Sequence, residues 1–260
     1  MEMNKIQLYG DELFDAQQNA RQITPLTDRE SQLSIESAYA IQQHTIARRV
    51  SGGDAIIGKK IGITAKAVMN LLGVNQPDFG QLLSSFQYGN GDVLRMSNFC
   101  QPKGEGEIAF ILKKDLKGPG ITSAEVLAAT DYLLPAFEIV DSRVSDWKIK
   151  IQDTVADNAS AGAFVLGNTP ISPKGIDLST CGMVLKQNGK IIGTGAGAAT
   201  MSHPVNAVTW LANKLGELGL PLKAGEIILS GSLSIMFPIQ SGDHLHMKIS
   251  GIGEVTCQFN

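Results

Sequence analysis

The stretch Gly104-Glu105-Gly106-Glu107-Ile108-Ala109-Phe110-Ile111-Leu112 constrains this chain more than any other. Its continuous apolar run, closed by Lys113-Lys114-Asp115, reads as a largely buried strand. Side chains alternate along a strand, so Glu105 and Glu107 project from one face. Taken alone, a Glu-x-Glu is ordinarily a solvated strand start. Held side by side at a buried strand end, two anions lose hydration and repel each other, and a divalent cation would remove both penalties.

The rest of the chain sets the frame around that strand. At 260 residues it suits one large domain, or one with a small appendage. A net charge of −3 argues against nucleic acid as a partner, because phosphate binding needs a clustered excess of Lys and Arg. No apolar stretch approaches the roughly 20 residues of a membrane span, and the first residues lack a signal-peptide pattern. Cys100, Cys181 and Cys257 are too few and too scattered for a disulfide framework or a zinc knuckle. A soluble cytoplasmic protein is the expectation.

Residues 1–54 read as a helical N-terminal subdomain. Ser34 is placed to cap a helix carrying Ile35, Ala38, Tyr39, Ile46 and Val50 on one stripe, with Gly52-Gly53 as its stop. Residues 55–260 read as a β-rich domain. Ala55 to Ile63 forms a strand interrupted by Lys59 and Lys60, each of which must reach the surface or meet an anion. Thr64 can cap a helix ending at Gly73, and Asn75 to Gly80 reads as a loop carrying Asp78. Thr122-Ser123-Ala124-Glu125 fits a capping box. Leu133 to Asp141 is a second apolar strand, with Pro135 pointing to an edge or strand start. It holds one carboxylate, Glu138, whose ionised form needs a partner, and Arg143 is one candidate. Lys186 to Lys190 is a hairpin turn, a helix runs from Pro204 to about Leu218, and short strands finish the chain.

Other chemistries find little support. Ser230-Gly231-Ser232 lacks a nucleophile-elbow context, and Gly193 to Ala198 matches a dinucleotide fingerprint without the βαβ units it requires. His244 and His246 share a strand face, most simply a solvated one. Three carboxylates in apolar strands remain: Glu105, Glu107 and Glu138. An all-oxygen set selects a hard cation such as Mg²⁺ or Mn²⁺ and suits the stabilisation of developing enolate charge.

The ordered motifs Gly58-Lys59-Lys60-Ile61-Gly62-Ile63-Thr64, Gln76-Pro77-Asp78-Phe79-Gly80, Glu105-Gly106-Glu107-Ile108, Phe137 to Arg143 and Asp157-Asn158-Ala159-Ser160 carry a resemblance. Across almost its whole length the chain resembles the hydratase/decarboxylase branch of the fumarylacetoacetase superfamily. The resemblance implies an α+β fold, a mixed β-roll of the fumarylacetoacetase C-terminal type with an N-terminal helical cap. It implies one Mg²⁺ or Mn²⁺ per chain held by Glu105, Glu107 and Glu138, catalytic roles for Lys60 and Asp78, and substrate contacts from Lys60, Phe79 and Ser160. The implied activity is hydration of 2-hydroxypenta-2,4-dienoate to 4-hydroxy-2-oxopentanoate, in the meta-cleavage breakdown of aromatic compounds. The rival activity is decarboxylation of 2-oxohex-3-enedioate, whose second carboxylate would need a cation such as Lys59, Lys66, Arg143, Lys148 or Lys150. Homo-oligomers and association with a sister decarboxylase are implied too. A catalytically silent subunit of such a complex is the alternative of another class.

Overall fold

The computed structural model describes residues 1–260. In chain order, α1 (Met3–Gln18), α2 (Leu26–Arg29) and α3 (Ile35–Ser51) precede β1 (Ile56–Gly62), α4 (Lys66–Leu72) and β2 (Asp78–Leu83). Two short strands, β3 (Gln87–Tyr88) and β4 (Val93–Leu94), lead to β5 (Lys103–Leu112). Then come α5 (Ser123–Ala129), β6 (Thr130–Val140), α6 (Ile151–Ala156) and β7 (Ala161–Leu166). The hairpin β8 (Gly182–Gln187) and β9 (Lys190–Ala196) is followed by α7 (Pro204–Glu217). The chain closes with β10 (Ile227–Leu229), β11 (Phe237–Pro238), β12 (His244–Ile249) and β13 (Gly253–Phe259). No helix is long and apolar enough to cross a membrane.

The larger sheet runs β2-β1-β10-β5-β6-β7-β3, with β11 also pairing β5, and the smaller runs β4-β13-β12-β8-β9. Both are mixed: β1 with β10, β3 with β7 and β4 with β13 are parallel, and the other pairs are antiparallel. The long central pair β5 and β6 separates two apolar layers. Ile108, Phe110, Phe137 and Ile139 pack in one core with Leu245, Met247 and Val255 of the smaller sheet. Ala109, Ile111, Ala136 and Phe164 pack in another with Leu82, Leu83 and Leu229. Period-two alternation puts Glu105 and Glu107 on the face of Ala109, and the intervening glycines on the opposite face. Those glycines have a steric reason. A Cβ on Gly106 would lie 2.5 Å from the sulfurs of Met183 and Met247, and one on Gly104 would collide with the Phe237 ring.

The helical segment follows its signals closely. Ser34 Oγ accepts from Ser37 N–H and Gly52 ends α3, although Val50 faces solvent rather than the core. Leu13, Leu26 and Ile41 of this segment share a core with Val155 and Ala156 of α6. The capping box of α5 and the hairpin turn at Asn188-Gly189, both with positive φ, also form as expected.

Four local expectations change. Asp78 is the first residue of β2, paired opposite Gly62, and not part of a loop. Thr64 does not cap α4: Ala65 stands at that position, and the buried Thr64 side chain packs where a Cβ on Gly231 would sit. Pro135 lies inside a central strand. Its carbonyl accepts from Gly167 N–H, and its nitrogen faces the same side, beyond the last paired residues of β6 and β7, Ala136 and Leu166. The missing donor therefore interrupts no ladder bond. Arg143 pairs with Asp157 at 2.6 Å and not with Glu138.

Candidate metal and catalytic centre

The β5–β6 register sets Glu105 directly opposite Glu138, with Glu107 one pleat further along the same face. Ligand oxygens of the three carboxylates all lie within 4.8 Å of one another. Glu107 and Glu138 are 0% and 1% exposed, whereas Glu105 is half-buried. Glu107 Oε2 accepts from Gly231 N–H at 2.8 Å. Glu107 Oε1 and both oxygens of Glu138 have no hydrogen-bond partner.

Lys60 enters from β1. Its Nζ lies 3.1 Å from Glu138 Oε1, an ion-pair contact whose angle does not make a hydrogen bond. Its hydrogen bond goes instead to the Ala159 carbonyl, at 3.0 Å. Asp78 comes from β2 across Gly62. A Cβ on Gly62 would strike Asp78 Oδ1 and stand 3.4 Å from Lys60 Nζ, so the two side chains meet over that glycine. Asp78 Oδ1 also lacks a partner.

Electrostatics follow from this crowding. Burial, then the charge of Glu138, push Glu105 up to about 7 against the pull of Lys60. Glu107 is raised well above the usual carboxylate range, by burial first and then by Glu138 and Glu105. Asp78 is lifted to about 6, mainly by burial, with Lys60 opposing. Burial works against the charged form of Lys60, but Glu138, Asp78, Glu105 and Glu107 outweigh it and raise its pKa. Buried carboxylates with orphaned oxygens at this spacing fit a hard cation, which would offset both their lost hydration and their mutual repulsion.

The remaining expected residues fall nearby. The Phe79 ring stacks on Tyr39 of α3, centroids 4.6 Å apart. Ser160 is buried, and its hydroxyl meets that of Thr154 at 3.2 Å. Of the cations considered for a second substrate carboxylate, Lys59 is held by Glu226 at 2.7 Å and Arg143 by Asp157. A cavity of about 820 Å³ lined by Tyr39, Val74, Asp78, Phe79 and Trp210 reaches Asp78 but not the glutamates.

Three contributors escaped the sequence. Gln42 of α3 donates from Nε2 to the carbonyls of Phe79 (3.1 Å) and Val155 (2.9 Å), tying the helical segment to the strand of Asp78. Gly231 N–H and the Ala159 carbonyl act through backbone, which residue type does not advertise. The only cue is conformational. Ile63, Asn158, Ala159 and Ser160 all have φ between +50° and +57°, at roughly 1–2 kcal/mol each, and such strain gathers at functional sites.

An acidic, all-oxygen trio on facing strands of a mixed sheet, with a lysine and an aspartate beside it, is the composition of a divalent-metal centre. Residues 66–260 match the family model described as fumarylacetoacetate (FAA) hydrolase C-terminal. The chain belongs to the fumarylacetoacetate hydrolase family, and the expected α+β roll is that family's fold. It is 50% identical over 256 residues to 2-hydroxyhexa-2,4-dienoate hydratase of Comamonas testosteroni, covering 98% of this chain and 97% of the relative. It is 55% identical over 221 residues to 2-hydroxypent-2,4-dienoate hydratase of Pseudomonas putida, covering 85% of this chain and all of the relative. Among solved structures, 4-oxalocrotonate decarboxylase from Pseudomonas putida G7, complexed with magnesium and adipate, superposes with a TM-score of 0.97 at 33% identity. That match covers 100% of this chain and 99% of the other.

Proposed function

We propose that this chain is a hydro-lyase that adds water to 2-hydroxypenta-2,4-dienoate, the enol of 2-oxopent-4-enoate, giving 4-hydroxy-2-oxopentanoate. The observation that carries the reading is the trio Glu105, Glu107 and Glu138, with orphaned oxygens on the buried Glu107 and Glu138, beside Lys60 and Asp78. The trio would hold one Mg²⁺ or Mn²⁺ per chain. When bound, that cation supplies Lewis-acid stabilisation of charge on the substrate's oxygen atoms. The names of relatives at 50% and 55% identity, both hydratases of 2-hydroxydienoates, support the reaction class.

The chain's own groups divide the remaining work. Lys60, which burial disfavours in its charged form but four surrounding carboxylates favour, would bind an anionic oxygen of the substrate. Asp78, lifted to about 6, exchanges a proton near neutrality and delivers one to C5 of the dienol. The conjugated ketone so formed takes hydroxyl at C4 and a proton at C3, so one water is consumed and nothing is oxidised. Phe79 and Ser160 would line the substrate.

The rival decarboxylase reading needs a cation for a second carboxylate, and the fold likeness to 4-oxalocrotonate decarboxylase keeps it in view. Lys59 and Arg143 are already paired, which favours the monocarboxylate. Homo-oligomeric assembly, association with a sister decarboxylase, a cytoplasmic location and a division into residues 1–54 and 55–260 belong to the same proposal. The test is direct. Purified protein with Mg²⁺ or Mn²⁺ should bleach the dienol absorbance of 2-hydroxypenta-2,4-dienoate and release 4-hydroxy-2-oxopentanoate. Unchanged absorbance with either metal sinks the reading, and absence of metal-dependent stabilisation as well would favour a silent subunit.

A pH effect follows from the raised carboxyl groups. A pKa above the usual value means that the metal-free cluster still holds protons near pH 7. Metal ligands must be deprotonated, so uptake of Mg²⁺ releases those protons. Apparent Mg²⁺ affinity should therefore weaken as pH falls from about 8 to 6, by about tenfold per unit for each proton displaced. Calorimetric titration in buffers of different ionisation enthalpy counts the protons, and an affinity flat over that range would contradict the expectation.

A further inference from the structure

The turn Asn158-Ala159-Ser160 has φ values of +54°, +50° and +55°. L-residues enter this region singly, and three in succession persist only where the surroundings over-determine them. Here they do. Arg143 brackets the turn, donating to the carbonyls of Asp157 at 2.7 Å and Ala161 at 2.9 Å. Asp141 N–H donates to the Ser160 carbonyl at 2.7 Å. The Asn158 carboxamide closes a pair with the backbone of Gln81, accepting from its N–H at 2.8 Å and donating to its carbonyl at 2.9 Å. Gly80 lets the turn settle onto β2, because a Cβ there would strike the Asn158 carbonyl.

The result of this scaffolding is one aimed acceptor. The Ala159 carbonyl points at Lys60 Nζ, 3.0 Å away. A right-handed or extended backbone at 158–160 would turn that oxygen elsewhere. An ammonium has three donors. One is taken by Ala159, and the ammonium also stands 3.1 Å from Glu138 Oε1 as an ion pair, which leaves donor capacity for a ligand.

We propose that the left-handed turn 158–160 is a positioning device for Lys60, with Asn158 the positioning residue that fastens Lys60's acceptor to β2, the strand of Asp78. Lys60 and Asp78 then share one rigid frame, although they stand on different strands and the turn on neither. The inference rests on the reading that both residues act on a bound substrate.

Asn158→Gly tests it, because glycine accepts the left-handed backbone while both bonds to Gln81 are lost. Turnover (kcat) should fall about tenfold to a hundredfold, the usual cost of a small misplacement, with KM and the Mg²⁺ requirement little changed. A crystal structure of the variant should show Lys60 Nζ withdrawn from the Ala159 carbonyl. Wild-type kcat with Lys60 unmoved overturns the proposal, and so does a parallel loss of kcat, metal affinity and thermal stability, which marks a merely structural role. Lys60→Ala is run alongside. A wild-type protein as inert as Lys60→Ala would sink the hydratase reading alone, and the crystallographic contact would still decide the turn. If Asn158→Gly does not fold, Asn158→Asp keeps the acceptor for Gln81 N–H and loses only the donor to its carbonyl. Lowered kcat with unchanged Tm then supports the proposal, and wild-type kcat overturns it.

Discussion

Glu107→Gln should abolish Mg²⁺-dependent hydration while raising the thermal stability of the metal-free protein. The two effects have one cause. Glu107 is fully buried, its Oε1 has no partner, and its oxygens share a 4.8 Å neighbourhood with those of Glu105 and Glu138. At that spacing two fully ionised carboxylates repel by about 3–4 kcal/mol at the effective dielectric of protein sites, less whatever the retained protons relieve. Glutamine removes one of the charges. It keeps an oxygen for the Gly231 N–H and offers an amide donor to the remaining carboxylates. A gain of about 1–2 kcal/mol would raise Tm by roughly 2–8 °C in a chain of this size. With metal the order reverses. Saturating the wild type at a hundred times Kd adds about 2.7 kcal/mol of stability, which the variant forfeits. Metal affinity should fall by at least about a hundredfold, since outer-shell partners alone are worth 10–100-fold. Scanning calorimetry with and without Mg²⁺ reads both signs. An unaltered Mg²⁺ requirement would take Glu107 out of the ligand set.

That centre was partly legible in the sequence, and the limits are physical. Alternation put Glu105 and Glu107 on one face, and an apolar run marked their strand as buried. Both signals are local, and both hold. Glu138 reads as a buried anion in need of a partner, and the candidate that the local sequence offers, Arg143, is not the one the fold supplies. Arg143 lies an odd number of residues further on, past the end of β6 at Val140, and turns to Asp157. Lys60, 78 positions away, is brought to Glu138 by pairing of β1 with β10, β10 with β5 and β5 with β6, which no local pattern encodes. Asp78 read as a turn residue because Pro-Asp favours turns, and pairing with β1 overrode that preference. The Ala159 carbonyl was out of reach altogether. A run of non-glycine left-handed residues leaves one faint compositional trace, Asn158, and is imposed by tertiary bonds.

Lys60→Met is the complementary experiment, with opposite signs for chemistry and metal binding. Asp78, Glu105, Glu107 and Glu138 carry four negative charges when ionised and Lys60 carries one positive, a formal −3 that a divalent cation reduces to −1. Lys60 and the metal therefore compete for the same field, and the ammonium sits 3.1 Å from a carboxylate oxygen that a metal would use. Removing it should strengthen Mg²⁺ binding at pH 8, where the carboxylates are free to ionise. Methionine matches the length of the stem without the charge, so packing against the sheet changes little. Turnover should nonetheless fall by about 10²–10⁴, the range for loss of a positioned polar group acting in the transition state. The Ala159 carbonyl loses its donor as well, and Asp78 loses the cation that opposes its raised pKa, so the alkaline limb of the pH–rate profile, set by the acid that must be protonated, should move to higher pH. Isothermal titration with Mg²⁺ and the pH dependence of kcat/KM check the two arms separately. If metal affinity weakens along with turnover, Lys60 belongs to the architecture of the metal centre and not to the group that meets the substrate.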